Sequence, residues 1–143
     1  MIALDTNLLV YAHRRAVPEH AAARRAIERA ARDARGWGVP VPCLPEFWSV
    51  VTHPTAAGRP STPAEAASFL RSLVEEGGAA IWTPGPGFGL RVADLARRLD
   101  VRGVRVFDLQ IALVAADAGA TELWSHDRRF VSPPGLPVVD PLE

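Results

Sequence analysis

The chain has 143 residues, 48% of them hydrophobic, a length and composition that suit one globular domain with a sizeable core. Its formal charge is zero, from 16 basic and 16 acidic residues, and every basic residue is an arginine. Without lysine it cannot be a P-loop NTPase, a Schiff-base enzyme or a phosphotransferase built on a catalytic lysine.

Cys43 is alone, so no internal disulfide forms, and a reducing cytoplasm is the expected location. Ile2, Ala3 and Leu4 read as a short buried strand with neither a basic leader nor a long apolar run around it. No secretory signal and no membrane span are therefore expected. A helix follows from Leu8 to about His13, and Pro18 opens a long helix rich in alanine and arginine that Gly36 closes. Val39–Val41 reads as a second strand, and Pro45 starts a helix through Thr52. The stretch "TAAGRPS" is a loop, after which Thr62-Pro63-Ala64-Glu65 forms a capping box for a helix to Glu76.

Ala79–Trp82 is the third strand, and helices follow from about Phe88 to Leu99 and from Asp108 to Ala118. Leu123–Ser125 is a fourth strand, and Leu136–Val139 a fifth at one edge. Strands separated by helices predict right-handed crossovers. The expected fold is a single α/β domain over residues 1–143, three layers deep, with a mostly parallel sheet of four to five strands. Ligands of such sheets bind beyond the carboxyl ends of the strands.

Most of the acids lie on helix faces or in the tail. Four stand in apolar company instead: Asp5 in "IALDTNLL", Glu46 in "CLPEFWSVV", Asp108 in "VFDLQIALV" and Asp127 in "LWSHD". Asp5 and Asp127 each follow a strand, while Glu46 and Asp108 occupy first turns of helices, so all four can project to one rim. Singly, each has a plain reading as a helix-start charge or a turn residue. Together they repel, by on the order of 4 kcal/mol for two charges about 4 Å apart at an effective dielectric of 20. A divalent cation relieves that repulsion, and an all-oxygen set suits Mg²⁺ or Mn²⁺ rather than Zn²⁺.

At these residues the chain resembles the PIN domains, and more narrowly the VapC ribonuclease toxins of bacterial toxin–antitoxin pairs. The matching pieces are "ALDTNLLVYA", "LPEFWSVVTHP", "VFDLQIALVA" and "LWSHDRRF…PGLPVVDP", four blocks in order along nearly the whole chain. The resemblance implies a PIN-like α/β/α fold in which Asp5, Glu46 and Asp108 are metal-site acids and Asp127 is the more variable fourth. It places Thr6 and Asn7 in support of the first acid. It further implies Mg²⁺- or Mn²⁺-dependent cleavage of RNA, with structured RNA such as tRNA among the candidates, leaving 3′-hydroxyl and 5′-phosphate ends. A VapB-like antitoxin and a homodimer are the implied partners. The loop around "THPTAAGRPST" resembles that of a subset of the family.

Two other enzyme classes fit poorly. An HD phosphohydrolase needs histidines that His13, His20 and His53 do not supply, and a haloacid-dehalogenase-like phosphatase needs a lysine, and an acid where Asn7 stands. The rival from another class is a PIN-like module that binds RNA or protein without cutting. Arg128 and Arg129 follow Asp127 directly and are candidate RNA contacts, with solvated surface charge as the plain alternative. Trp48, Trp82 and Trp124 are expected in the core, and Trp37, between two glycines, is expected to be more open.

Overall fold

A computed structural model describes residues 1–56 and 58–143. The loop read at "TAAGRPS", and with it the family-like stretch around it, includes Ala57, which lies outside the described residues. In chain order the elements are β1 (Ile2–Leu4), α1 (Thr6–His13), α2 (His20–Arg32), β2 (Trp37–Pro40), α3 (Cys43–Val51) and α4 (Pro63–Glu75). They continue with β3 (Ala80–Trp82), α5 (Phe88–Arg98), α6 (Arg105–Asp117), β4 (Glu122–Trp124) and β5 (Val138–Val139).

The five strands form one sheet in the order β3-β2-β1-β4-β5, and every pairing is parallel. All residues of β1 and β2 are buried, which a strand shows when both of its faces are covered. The order explains how. The crossovers β1→β2 and β2→β3 step the same way across the sheet, so the right-handed rule puts α1 to α4 on one face. The crossover β3→β4 steps back over them and puts α5 and α6 on the other. The result is the expected three-layer α/β/α arrangement.

The core joins Ile2, Leu4, Val39 and Leu123 from the strands to Leu8, Ala26, Phe47 and Leu73 on one side and Ile111 and Ala115 on the other. Leu95, Leu109 and Leu113 form a smaller cluster between α5 and α6. The capping box at α4 is as read: Thr62 Oγ1 accepts from the Glu65 N–H, and the Glu65 carboxylate accepts from the Thr62 N–H.

Two tryptophans depart from expectation. Trp37 is buried, because β2 begins there, opposite Ile2, and its Nε1 donates to the Gly77 carbonyl at 2.8 Å. Trp48 is not in the core. It is 36% exposed, since α3 turns only Cys43, Phe47 and Val51 inward.

Candidate metal-dependent site at the sheet's carboxyl edge

The strand order reverses between β1 and β4, and a crevice opens where chains leave two neighbouring parallel strands in opposite directions. Leu4 pairs with Trp124, so the residues just past them, Asp5 and Ser125, lie side by side at that crevice. The four singled-out acids sit around it. Asp5 caps α1, Glu46 lies in the first turn of α3, Asp108 in the first turn of α6, and Asp127 in the turn after β4.

Asp5 is the most deeply held, at 6% exposure. Its Oδ1 accepts from the Thr6 N–H at 2.7 Å and its Oδ2 from the Ser125 hydroxyl at 2.7 Å. Burial nevertheless pushes its carboxyl up to about 6, the two hydrogen bonds offset only part of that, and the charges of Glu46 and Asp108 add to it. Glu46 is raised too, first by burial and then by Asp108. Three carboxylates thus feel one another across the crevice. The raised values record burial first and the like charge of neighbouring carboxylates second.

Asp127 is the opposite case. Arg105 Nη1 donates to Asp127 Oδ2 at 2.8 Å and to Asp108 Oδ2 at 3.0 Å. This guanidinium, with the Arg129 N–H at 2.9 Å from Oδ1, holds the Asp127 carboxyl below the usual range. Asp108 Oδ2 also accepts from the Val131 N–H at 3.4 Å.

Ser125 organises the floor. Its hydroxyl bonds Asp5 and accepts from the Asp127 N–H at 3.1 Å and from Asn7 Nδ2 at 3.2 Å. Asn7 Oδ1 accepts from the His126 N–H at 3.3 Å, so Asn7 ties the start of α1 to the end of β4. Thr6 Oγ1 is buried and makes no hydrogen bond, yet it lies near enough to favour the ionised form of Glu46. Arg128 is ion-paired with Glu143 of the tail, and Arg129 is exposed with its Nε 4.0 Å from Asp127.

The donor set fits a hard divalent cation. It is all oxygen, and Asp5, a buried carboxylate, and Glu46 both feel the charge of Asp108 across it. Among the described residues, however, no three metal-ligating side chains stand close enough to enclose an ion as they are placed. Arg105 draws Asp108 and Asp127 to itself. Ser125 and Arg105 are the site residues that sequence reasoning missed. The one available signal was Arg105 three positions before Asp108, a helical neighbour spacing.

The fold agrees with comparisons to known proteins. The family model for the PIN domain matches residues 2–136. The VapC43 ribonuclease of Mycobacterium tuberculosis is 35% identical over 130 residues, 91% of this chain and 88% of that protein. Among solved structures, VapC20 of Mycobacterium tuberculosis, a toxin that cleaves the sarcin–ricin loop, superposes with a TM-score of 0.69 at 15% identity, covering 93% of this chain and all of that one. VapBC2 from Rickettsia felis, bound to a DNA fragment of its promoter, gives 0.68 at 20% identity, covering 97% and 98% of the two chains.

Proposed function

The chain belongs to the PIN-domain family and within it to the VapC-type ribonucleases, and on that premise we propose that it is a Mg²⁺- or Mn²⁺-dependent endoribonuclease, the toxin of a VapBC-type pair. The observation that carries the site is Asp5, a buried carboxylate at the switch point of the sheet, raised to about 6 and facing two further acids. Burying a carboxylate that faces two others is costly, and a bound cation would offset that cost.

Asp5, Glu46 and Asp108 would hold the ion, with Asp127 completing the set. Bound there, Mg²⁺ or Mn²⁺ would lower the pKa of a water and offset the charge of a phosphodiester. The protein's part is orientation and proton handling. Ser125 and the Thr6 N–H fix both oxygens of Asp5 in place. Asp127, held ionised by Arg105, would orient an attacking water by accepting a hydrogen bond from it rather than by taking its proton. In-line attack with departure of the 3′-oxygen leaves 3′-hydroxyl and 5′-phosphate ends. The partners are a VapB-like antitoxin and a second copy of the chain, the substrate is a structured RNA such as tRNA, and the protein works in the cytoplasm. No helix among the described residues is long and apolar enough to cross a membrane.

The test is cleavage of structured RNA by purified protein. Mg²⁺ or Mn²⁺ should support it and EDTA should stop it. Asp5→Asn, Glu46→Gln and Asp108→Asn should each lower the rate by two orders of magnitude or more, and Asp127→Asn by less, about tenfold. One observation favours the second reading, a PIN-like module that binds without cutting: Arg105 already neutralises two of the four acids. Folded acid variants that lose nothing, or wild-type protein that cuts nothing with either metal, would establish it.

A further inference from the structure

α1 and α3 both begin at the acid rim, α1 with Asp5 as its cap and α3 with Glu46 in its first turn. Their far ends also meet. α1 runs eight residues, a rise of about 12 Å, to His13 and the cap residue Arg14. α3 ends at Val51, whose carbonyl accepts from the Ser61 N–H at 2.8 Å. Two packed helices therefore carry carboxylates at one end, and at the other a cavity of about 520 Å³ lined by His13, Arg14, Arg15, Arg59, Ser61 and Glu65.

The charges there have the opposite sign, three arginines against one glutamate. The cavity is also built. Arg14 is buried and its Nη1 donates to the Arg59 carbonyl at 2.7 Å and the Ser61 hydroxyl at 3.3 Å. His13 Nε2 lies 2.8 Å from the same hydroxyl, with its ring packed against Phe47 and Phe69. These contacts hold the Arg59 carbonyl and the Ser61 hydroxyl against the end of α1. Gly58, in the left-handed region at φ 78°, keeps the wall bare where a Cβ would lie 3.3 Å from Ala16 and 3.6 Å from Arg14. Arg15 is exposed and makes no ion pair among the described residues. Arg59 spends two nitrogens on Glu65, at 3.0 and 3.2 Å, and a guanidinium has further donors.

We infer that this cavity is a phosphate anchor, in which Arg15 and Arg59 grip the backbone of the substrate RNA about one helix length from the bond to be cut. The inference rests on the ribonuclease reading, and it answers a difficulty in it. A chain of zero net charge with four acids at its site repels a polyanion there, so affinity must come from elsewhere on the surface. Arginine forks suit phosphate oxygens, and this cluster lies at the far ends of the two helices that begin at Asp5 and Glu46, joined to α3 through the Ser61 N–H on the Val51 carbonyl.

The test uses the whole protein, a labelled RNA hairpin with a single-stranded loop, and EDTA, with binding followed by fluorescence anisotropy over a series of salt concentrations. For single strands, each phosphate contact contributes about 0.7 to the slope of log affinity against log salt. Arg15→Ala and Arg59→Ala should each flatten that slope by about 0.7. Arg15→Lys should keep it, as should Arg71→Ala on the exposed face of α4. Inorganic phosphate at matched ionic strength should not displace the RNA. Slopes equal to wild type in both alanine variants overturn the anchor, and so does displacement by phosphate at low concentration, which would mark a site for a free anion. Should Arg59→Ala melt, as a loop variant can, the exposed Arg15 decides alone. The two readings fail separately. Protein that cuts RNA with an unchanged slope loses the anchor and keeps the ribonuclease, and protein that cuts nothing but shows the flattened slopes does the reverse.

Discussion

Asp5 is a carboxylate whose folded environment opposes its own charge, and that has a consequence for stability. Its folded value, about 6, lies above the 3.8 of an unperturbed aspartate. Between those values the folded chain binds more protons than the unfolded one, so stability falls as pH rises through about 6. The difference corresponds to roughly 3 kcal/mol of destabilisation at neutral pH in the absence of a cation. Glu46, raised in the same sense, adds to it. The surface acids Asp33 and Glu65 work the other way. Arg35 holds Asp33 at about 2, and the Thr62 N–H and Arg59 hold Glu65 at about 2, so their stabilisation is lost only as pH falls below the ordinary carboxylate range. In metal-free buffer the melting temperature should therefore rise as pH is lowered from 7.5 to about 5, then fall below about 4. Asp5→Asn should flatten the upper limb and melt no lower than wild type at pH 7.5. A wild-type profile that instead climbs from pH 5 to 7.5 would show that Asp5 is ionised and compensated by the fold itself.

At the level of elements, what the sequence made legible was local. Each strand and helix was placed within a few residues, because apolar runs, the Thr62 capping box and the glycine stops are signals carried by neighbours in the chain. Two misses share one cause, contacts that are distant in sequence, while the third, Trp48, rests on the face its own helix turns inward. Ser125 matters because β4 pairs with β1 in the register that sets it beside Asp5, and nothing near "LWSHD" announces that pairing. Trp37 is buried because β2 starts opposite Ile2. Trp48 faces out because the inner face of α3 is only one residue wide per turn. Arg105 was missed for a local reason instead. α6 starts there, three residues before the expected Asp108, behind Val104, which caps nothing with its side chain. That first turn makes a specific prediction. Arg105 shares one nitrogen between Asp108 and Asp127, so it competes with any cation for the same oxygens. Arg105→Gln should tighten Mn²⁺ binding about fivefold by calorimetry, equivalent to about 1 kcal/mol for a partly exposed pair. The same variant should melt lower without metal, where the two acids then repel. Weaker Mn²⁺ binding in the variant would mean that Arg105 shapes the acids for the ion rather than displacing it.

The whole molecule presents two complementary features to a partner protein. One is the acid rim, which in this structure already holds a guanidinium, that of Arg105, through two charge-assisted hydrogen bonds. The other is a groove of about 480 Å³ between α1, α2 and α4, with Ala12, Ile27, Ala31, Phe69 and Leu73 on its floor and Arg24 and Glu28 at its margin. An apolar segment fits such a floor by laying down a face of small contacts. The alanines of α2 keep the floor shallow, since Ala23, Ala26 and Ala30 are fully buried against the body of the protein and leave Ile27 and Ala31 to face outward. An antitoxin that seats an apolar helix in the groove and sends an arginine from its tail to the rim would use both features at once, the first for grip and the second to block the acids. Co-expression with the product of the adjacent reading frame should therefore yield a complex that no longer cuts RNA. Ile27→Arg should weaken that complex at least tenfold, the scale expected for a charge forced against an apolar contact, while leaving cleavage by the free protein intact. Replacing the tail arginines of the partner should restore cleavage without releasing it from the groove. A partner that neither co-purifies nor suppresses cleavage, whatever its tail, would remove the toxin role and leave a ribonuclease with no antitoxin.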